Sequence, residues 1–193
     1  LRLGTTGFLA TLMTTSLDAL LKKIDIVTHF KHPSVLGMHI EGPFINISKA
    51  GAQDKKGILN PSLSVLKKIL KRSNSLLKIM TLAPELKGIS LLIRALIHSQ
   101  VTVAMGHSNA KYAEALSGVG KGISYATHLF NQMRPMYHRE PGLVLAALLN
   151  PKVKTELIAD GIHVHPDMIR LVYQMKGRDQ VVLVSDCVSS IKQ

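Results

Sequence analysis

The chain has 193 residues, 46% of them hydrophobic, with a mean hydropathy of +0.20. That excludes a disordered polar chain and allows one domain with a substantial core. The net charge of +12 and pI near 10.0 raise the possibility of nucleic acid. However, the lysines are scattered and no aromatic residues interleave with them to stack bases, so the charge is read as attraction for an anionic metabolite.

Aromatics are only 4%, with no Trp, so aliphatic side chains must fill the interior, which suits an α/β protein. The longest apolar run, Leu143–Leu149, is core-sized and far short of a membrane span. Cys187 is the single cysteine and excludes an internal disulfide, which makes a reducing, cytoplasmic setting the expectation. The first residues lack the layout of a signal peptide and there is no initiating Met, so the chain reads as a piece of a longer one.

Taken in order, β-type runs alternate with helical patterns. Thr5–Leu12 reads as a strand and Ser16–Lys31 as a helix capped by Ser16. Val35–Phe44 is a strand running into Glu41, Gly42 and Pro43, followed by a polar loop over residues 45–60. Pro61–Arg72 is a helix with Asn60 as cap; its Lys67, Lys68, Lys71 and Arg72 form a solvated stripe opposite Leu63, Leu66 and Leu70. Leu77–Pro84 is a strand, Leu86–Ser99 a helix, Val101–Ser108 a strand and Asn109–Val119 a helix. Ile123–Phe130 is a strand, followed by a polar loop and a short helix over Pro141–Leu149. Thr155–Asp160 is a strand, Pro166–Lys176 a helix and Val181–Val184 a strand.

Seven strands separated by six helices require a parallel sheet with right-handed crossovers. A doubly wound sheet and a (β/α)₈ barrel both fit. The barrel is favoured because residues able to do chemistry stand at five strand ends: Glu41, His107, His128, Asp160 with His163, and Asp186. No glycine-rich nucleotide fingerprint is present. A barrel needs eight strands, so one is expected to lie before residue 1.

Glu41, His107 and His128 offer one oxygen and two nitrogens, a donor set for Zn²⁺, Fe²⁺ or another first-row divalent metal with a position left open for water. Asp186 at the last strand end suits a proton shuttle, or equally a helix N-cap. His138 and Arg139, in the loop after His128, suit a phosphate, and Asn131 offers an amide; a surface Arg139 paired with Glu140 fits as well. His163 is placed to touch substrate, whereas His165 reads as the first residue of a helix.

These residues sit in blocks that resemble a known family. HIEGPFIN, KAGAQD, TLAPE, AMGHSNA, THLFNQMRPMYHREPG, ELIADGIHVHP and LVSD occur in the order of the N-acetylglucosamine-6-phosphate deacetylase family of the amidohydrolase superfamily, and they cover nearly the whole chain. The resemblance implies a TIM-type (β/α)₈ barrel hydrolase, incomplete here, that releases acetate from N-acetylglucosamine 6-phosphate. It implies that Glu41, His107 and His128 hold the metal and that Asp186 is the catalytic acid/base. It also implies that Ala52, Gln53, Asn131, Gln132, Arg139 and the segment Asp160, Gly161, Ile162 and His163 contact an amino-sugar phosphate. A homodimer is implied too, in which Arg139 serves the partner's site.

The chain departs from the family pattern in three ways. Gln53 stands where the family usually has His, and Ser185 and Cys187 flank Asp186 in place of Thr and Ala. The first barrel strand with its His-x-His pair, the last barrel helix, a later substrate loop and a small β domain are expected to lie outside these residues, so a second metal using that pair has no ligands here. The readings left open are another amidohydrolase acting on a cyclic amide, and a non-catalytic barrel remnant.

Overall fold

The computed structural model describes residues 6–187. Seven strands form one parallel sheet in sequential order: β1 (Phe8–Met13), β2 (Val35–Glu41), β3 (Leu77–Leu82), β4 (Thr102–Met105), β5 (Tyr125–Ala126), β6 (Lys154–Ile158) and β7 (Val181–Val184). Six helices alternate with them: α1 (Leu17–His29), α2 (Leu63–Ser73), α3 (Ile89–His98), α4 (Tyr112–Gly120), α5 (Gly142–Leu149) and α6 (Pro166–Lys176). The expected alternation of seven strands and six helices is what is observed. The predicted first residue of β1, Thr5, lies outside the described residues.

The sheet curls into a partial barrel. A cavity of ≈ 710 Å³ has residues of both β1 and β7 in its wall, and no described strand separates the two. Among the described residues no helix is long and apolar enough to cross a membrane.

Two-residue periodicity divides the strands between helix layer and barrel interior. On β2, Met38 and Ile40 are fully buried in the hydrophobic core that also takes Leu20, Ile24, Leu66, Ile69, Leu92 and Ile93 from the helices. His39 and Glu41 alternate with them and face the interior cavity with Thr127, Tyr125 and Glu156. The interior is therefore polar. His39 Nε2 lies 2.7 Å from Thr81 Oγ1, which lies 2.6 Å from Thr127 Oγ1. Burial pushes the His39 pKa down to about 4, with His128 and His107 adding to the effect and Glu41 opposing it.

Helix ends follow local chemistry. Ser16 Oγ accepts from Ala19 N at 3.4 Å, as its position predicts. The predicted Asn60 cap on α2 is corrected: the cap is Ser62, whose Oγ accepts from Val65 N, so Pro61 precedes the helix rather than opening it. Lys67, Lys68, Lys71 and Arg72 are exposed, as the solvated stripe requires. Lys176 is buried, and its Nζ donates to the carbonyls of Ala147 and Asn150 at the end of α5.

Strands β1 to β6 are shorter than predicted, and β2 and β5 show why. Strand β2 stops at Glu41 because Gly42 turns with φ +86 and Pro43 has no N–H to give the ladder. Strand β5 keeps only two residues. His128 (φ 30) and Phe130 (φ 79) leave extended backbone, and β6 satisfies the freed donors: the Glu156 carboxylate takes His128 N and the Glu156 carbonyl takes Leu129 N.

Candidate active site

Three of the candidate site residues share one local device. His107, His128 and Asp186 each stand two residues past the end of β4, β5 and β7, and each has positive φ: 46, 30 and 47. That left-handed backbone is unfavourable for a non-glycine residue and persists only where its surroundings impose it. It lifts the side chain off the strand line at the mouth of the barrel. Glu41 needs no such turn, because it ends β2 in register with Met13 on β1 and Thr81 on β3.

The result is a tight buried cluster of Glu41, His107 and His128. Glu41 Oε1 is 2.9 Å from His128 Nε2 and 3.4 Å from His107 Nε2, and the two Nε2 atoms are 3.2 Å apart. A tetrahedral zinc with bonds of about 2.0–2.2 Å places its ligand atoms roughly 3.3 Å from one another. The three donor atoms are therefore spaced like three corners of such a site. His107 Nδ1 lies 2.8 Å from the Lys49 carbonyl, which can only accept, so Nδ1 carries the proton. The lone pair of a neutral His107 is thus left on Nε2, facing the cluster, an orientation by an outer hydrogen bond that is typical of metal-binding imidazoles. The residues present fit a divalent cation.

Burial would raise the Glu41 pKa, but the His107 and His128 imidazoles packed against its carboxylate hold it well below the usual carboxylate range. Burial works against a charged His128, yet the hydrogen bond and charge of Glu41, with Asp186 behind it, raise its pKa. Burial pushes Glu156 up to about 7 against the His128 N–H, with the Glu41 charge adding to the rise.

A cavity of ≈ 460 Å³ opens at this cluster. It is lined by Glu41, His107, His128, Ala52, Gln53, Asn131, Gln132, His163 and Asp186 among others. Most residues singled out in the sequence thus meet in one place. The turn over residues 160–163 lies at its rim: Asp160, Gly161 and Ile162 are exposed and outside the cavity wall, while His163 is in it. The Asp160 carboxylate accepts from the backbone of His163 and Ile162 and from His163 Nδ1 at 2.7 Å. Those bonds, the His163 backbone first, pull its pKa down to about 2. Arg139 is exposed on the loop after β5 and does not line the cavity.

Glu85 closes the TLAPE block. Its carboxylate accepts from Asn46 Nδ2 at 2.9 Å, Ser108 Oγ at 2.7 Å and Asn109 N at 2.7 Å. It ties the loop after β3 to those after β2 and β4, beside His107. A fourth strand-end carboxylate, after Glu41, Asp160 and Asp186, is the signal the sequence offers. Replacing Glu85 with Ala strands three donors and is expected to cost about 2–3 kcal/mol, read from the urea midpoint.

Comparison with known proteins places this geometry. The amidohydrolase family pattern matches residues 1–192. An N-acetylglucosamine-6-phosphate deacetylase from Lysinibacillus sphaericus is 41% identical over 190 residues, covering 96% of this chain and 49% of that protein. The crystal structure of the N-acetyl-D-glucosamine-6-phosphate deacetylase from Mycobacterium smegmatis is similar with a TM-score of 0.92 and 30% identity, covering 96% of this chain and 49% of that one. An Asp-to-Ala mutant of that enzyme in complex with N-acetyl-D-glucosamine-6-phosphate gives a TM-score of 0.91 at 30% identity, covering 94% and 48%. The chain spans about half the length of the curated relatives it matches. With its parallel α/β half-barrel and the Glu-His-His cluster at the mouth, the chain belongs to the amidohydrolase family.

Proposed function

We propose that the chain carries the catalytic half-barrel of an N-acetylglucosamine-6-phosphate deacetylase, which hydrolyses the acetamide of N-acetylglucosamine 6-phosphate to glucosamine 6-phosphate and acetate. The observation that carries this reading is the tetrahedral spacing of Glu41 Oε1, His107 Nε2 and His128 Nε2 in a cavity that Asp186 also lines. The relatives' activity supports the choice of substrate.

Glu41, His107 and His128 would hold a divalent first-row cation, with Zn²⁺ the best match to two imidazoles and a carboxylate. When bound it supplies Lewis acidity, which makes water a better nucleophile and an amide carbonyl more electrophilic. Asp186 takes the proton of the attacking water and passes it to the amine nitrogen as the C–N bond breaks. Water thus contributes OH to the acetyl carbon and H to the departing amine. His163, pinned through Nδ1 by Asp160, presents its other ring nitrogen to the substrate. Ala52, Gln53, Asn131 and Gln132 line the remaining wall.

Arg139 is assigned to the phosphate of a neighbouring site across a homodimer, a role consistent with its exposure outside its own cavity. The single cysteine, Cys187, suits a cytoplasmic protein. The test is acetate release from N-acetylglucosamine 6-phosphate by the Zn²⁺-loaded protein. Turnover is expected with this substrate and much less with unphosphorylated N-acetylglucosamine. Hydrolysis of cyclic amides in its place would overturn the assignment.

A further inference from the structure

The resemblance to the family points Gln53 at substrate, but the structure gives its side chain other partners. Gln53 is 5% exposed, midway along the loop that joins β2 to α2. Its Oε1 accepts from Thr14 N at 2.6 Å and its Nε2 donates to Glu41 Oε2 at 2.8 Å. The orientation of the amide is forced by its partners: a backbone N–H can only donate and an ionised carboxylate can only accept. Both polar ends are thus committed inside the protein. Among the described residues, His107 Nε2 also lies close, 3.4 Å from the same nitrogen.

Each carboxylate oxygen of Glu41 has its own partners. Oε2 is held by Gln53, and Oε1 faces the two imidazoles. The support is built from several directions. Thr14 Oγ1 donates to the Glu41 carbonyl at 2.6 Å, and Asp54 N donates to the Thr14 carbonyl at 3.3 Å. The same loop supplies the Lys49 carbonyl that orients His107. Its turn at Gly51 (φ +58) disfavours a side chain, since a Cβ there would come within 2.7 Å of Gln132 Cγ and force Gln132 to shift.

We infer that Gln53 is a positioning residue of the metal centre: its amide holds one oxygen of Glu41 so that the other alone is offered to the cation. This deepens the metal-site reading above and rests on it. Holding a ligand in the bound geometry before the metal arrives lowers the cost of binding, and outer-sphere partners of this kind are typically worth about 10–100-fold in metal affinity.

The test is Zn²⁺ affinity by chelator competition in the unsubstituted protein, Gln53→Met and Gln53→Glu. Gln53→Met keeps the length of the side chain and removes both hydrogen bonds. Gln53→Glu keeps an acceptor for Thr14 N, and so that link in the fold, but sets a carboxylate against Glu41 Oε2. Both variants are expected to bind Zn²⁺ about 10–100-fold more weakly. Gln53→His, whose neutral ring carries one donor and one acceptor, is expected to recover much of the loss. Affinities within twofold of the unsubstituted protein in both Gln53→Met and Gln53→Glu would overturn the positioning role and leave the metal site standing. No Zn²⁺ binding by the unsubstituted protein would overturn both.

Discussion

Asp186→Asn lowers turnover of N-acetylglucosamine 6-phosphate by about 10³-fold while Zn²⁺ content and affinity stay close to those of the unsubstituted protein. The size follows from what a single positioned acid/base contributes, about 10²–10⁴-fold, and from the double duty assigned here, proton acceptance from water and donation to the amine. Metal retention follows from geometry. Asp186 lines the cavity from the end of β7, whereas the donor cluster comprises Glu41, His107 and His128. Asn keeps the shape and hydrogen-bonding capacity of Asp but takes no proton, so KM is expected to change far less than kcat. The measurement is steady-state acetate release alongside zinc quantification of the same sample. Near-normal kcat in the zinc-loaded variant would remove Asp186 from the chemistry.

The second large effect concerns the ligands. His107→Ala removes one of three donors and is expected to weaken Zn²⁺ binding by more than about 100-fold, beyond the 10–100-fold of an outer-sphere partner. It also strands the Lys49 carbonyl that His107 Nδ1 engages, at a cost of about 1–3 kcal/mol in stability. The two effects separate, because chelator competition reads the first and urea denaturation of the metal-free protein reads the second. Glu41→Gln tests charge instead. It is nearly isosteric and retains a carbonyl oxygen, yet removes the negative charge that raises the His128 pKa. Its metal affinity should fall comparably. Affinity unchanged in either variant would place the cation elsewhere.

The sequence made the outline of this site legible because each contributing feature is local. Apolar β-type runs and amphipathic helices alternate regularly enough to specify a parallel sheet, and parallel strands send their C-terminal ends one way. Glu41, His107, His128 and Asp186 could therefore be gathered at a mouth from their places after the strands alone. Less legible was how they get there. Nothing in the residue types of His107, His128 or Asp186 announces a left-handed backbone, because that conformation is imposed by partners distant in sequence, such as Glu156 gripping His128 N. For the same reason Ile123–Phe130 read as a full strand and kept only Tyr125–Ala126.

Roles that depend on side-chain hydrogen bonds between distant residues are harder to read from the sequence. Glu85 and Gln53 differ from ordinary loop residues only in what they touch, 23 to 39 positions away along the chain for the bonds from Ser108 to Glu85 and from Thr14 to Gln53. Arg139 shows how little nearness in sequence fixes. It lies in the loop that begins at the candidate ligand His128, yet that loop carries it out to the surface and away from the cavity of its own chain.

The central claim is that Glu41, His107 and His128 together hold a divalent cation. Anomalous diffraction at the zinc edge, from crystals of the Zn²⁺-loaded protein, tests it most directly. The account predicts one strong peak about 2.0–2.2 Å from Glu41 Oε1, His107 Nε2 and His128 Nε2, with Glu41 Oε2 still on the Gln53 amide. A loaded crystal with no anomalous density among these three side chains, or with its peak at a different cluster, would contradict it.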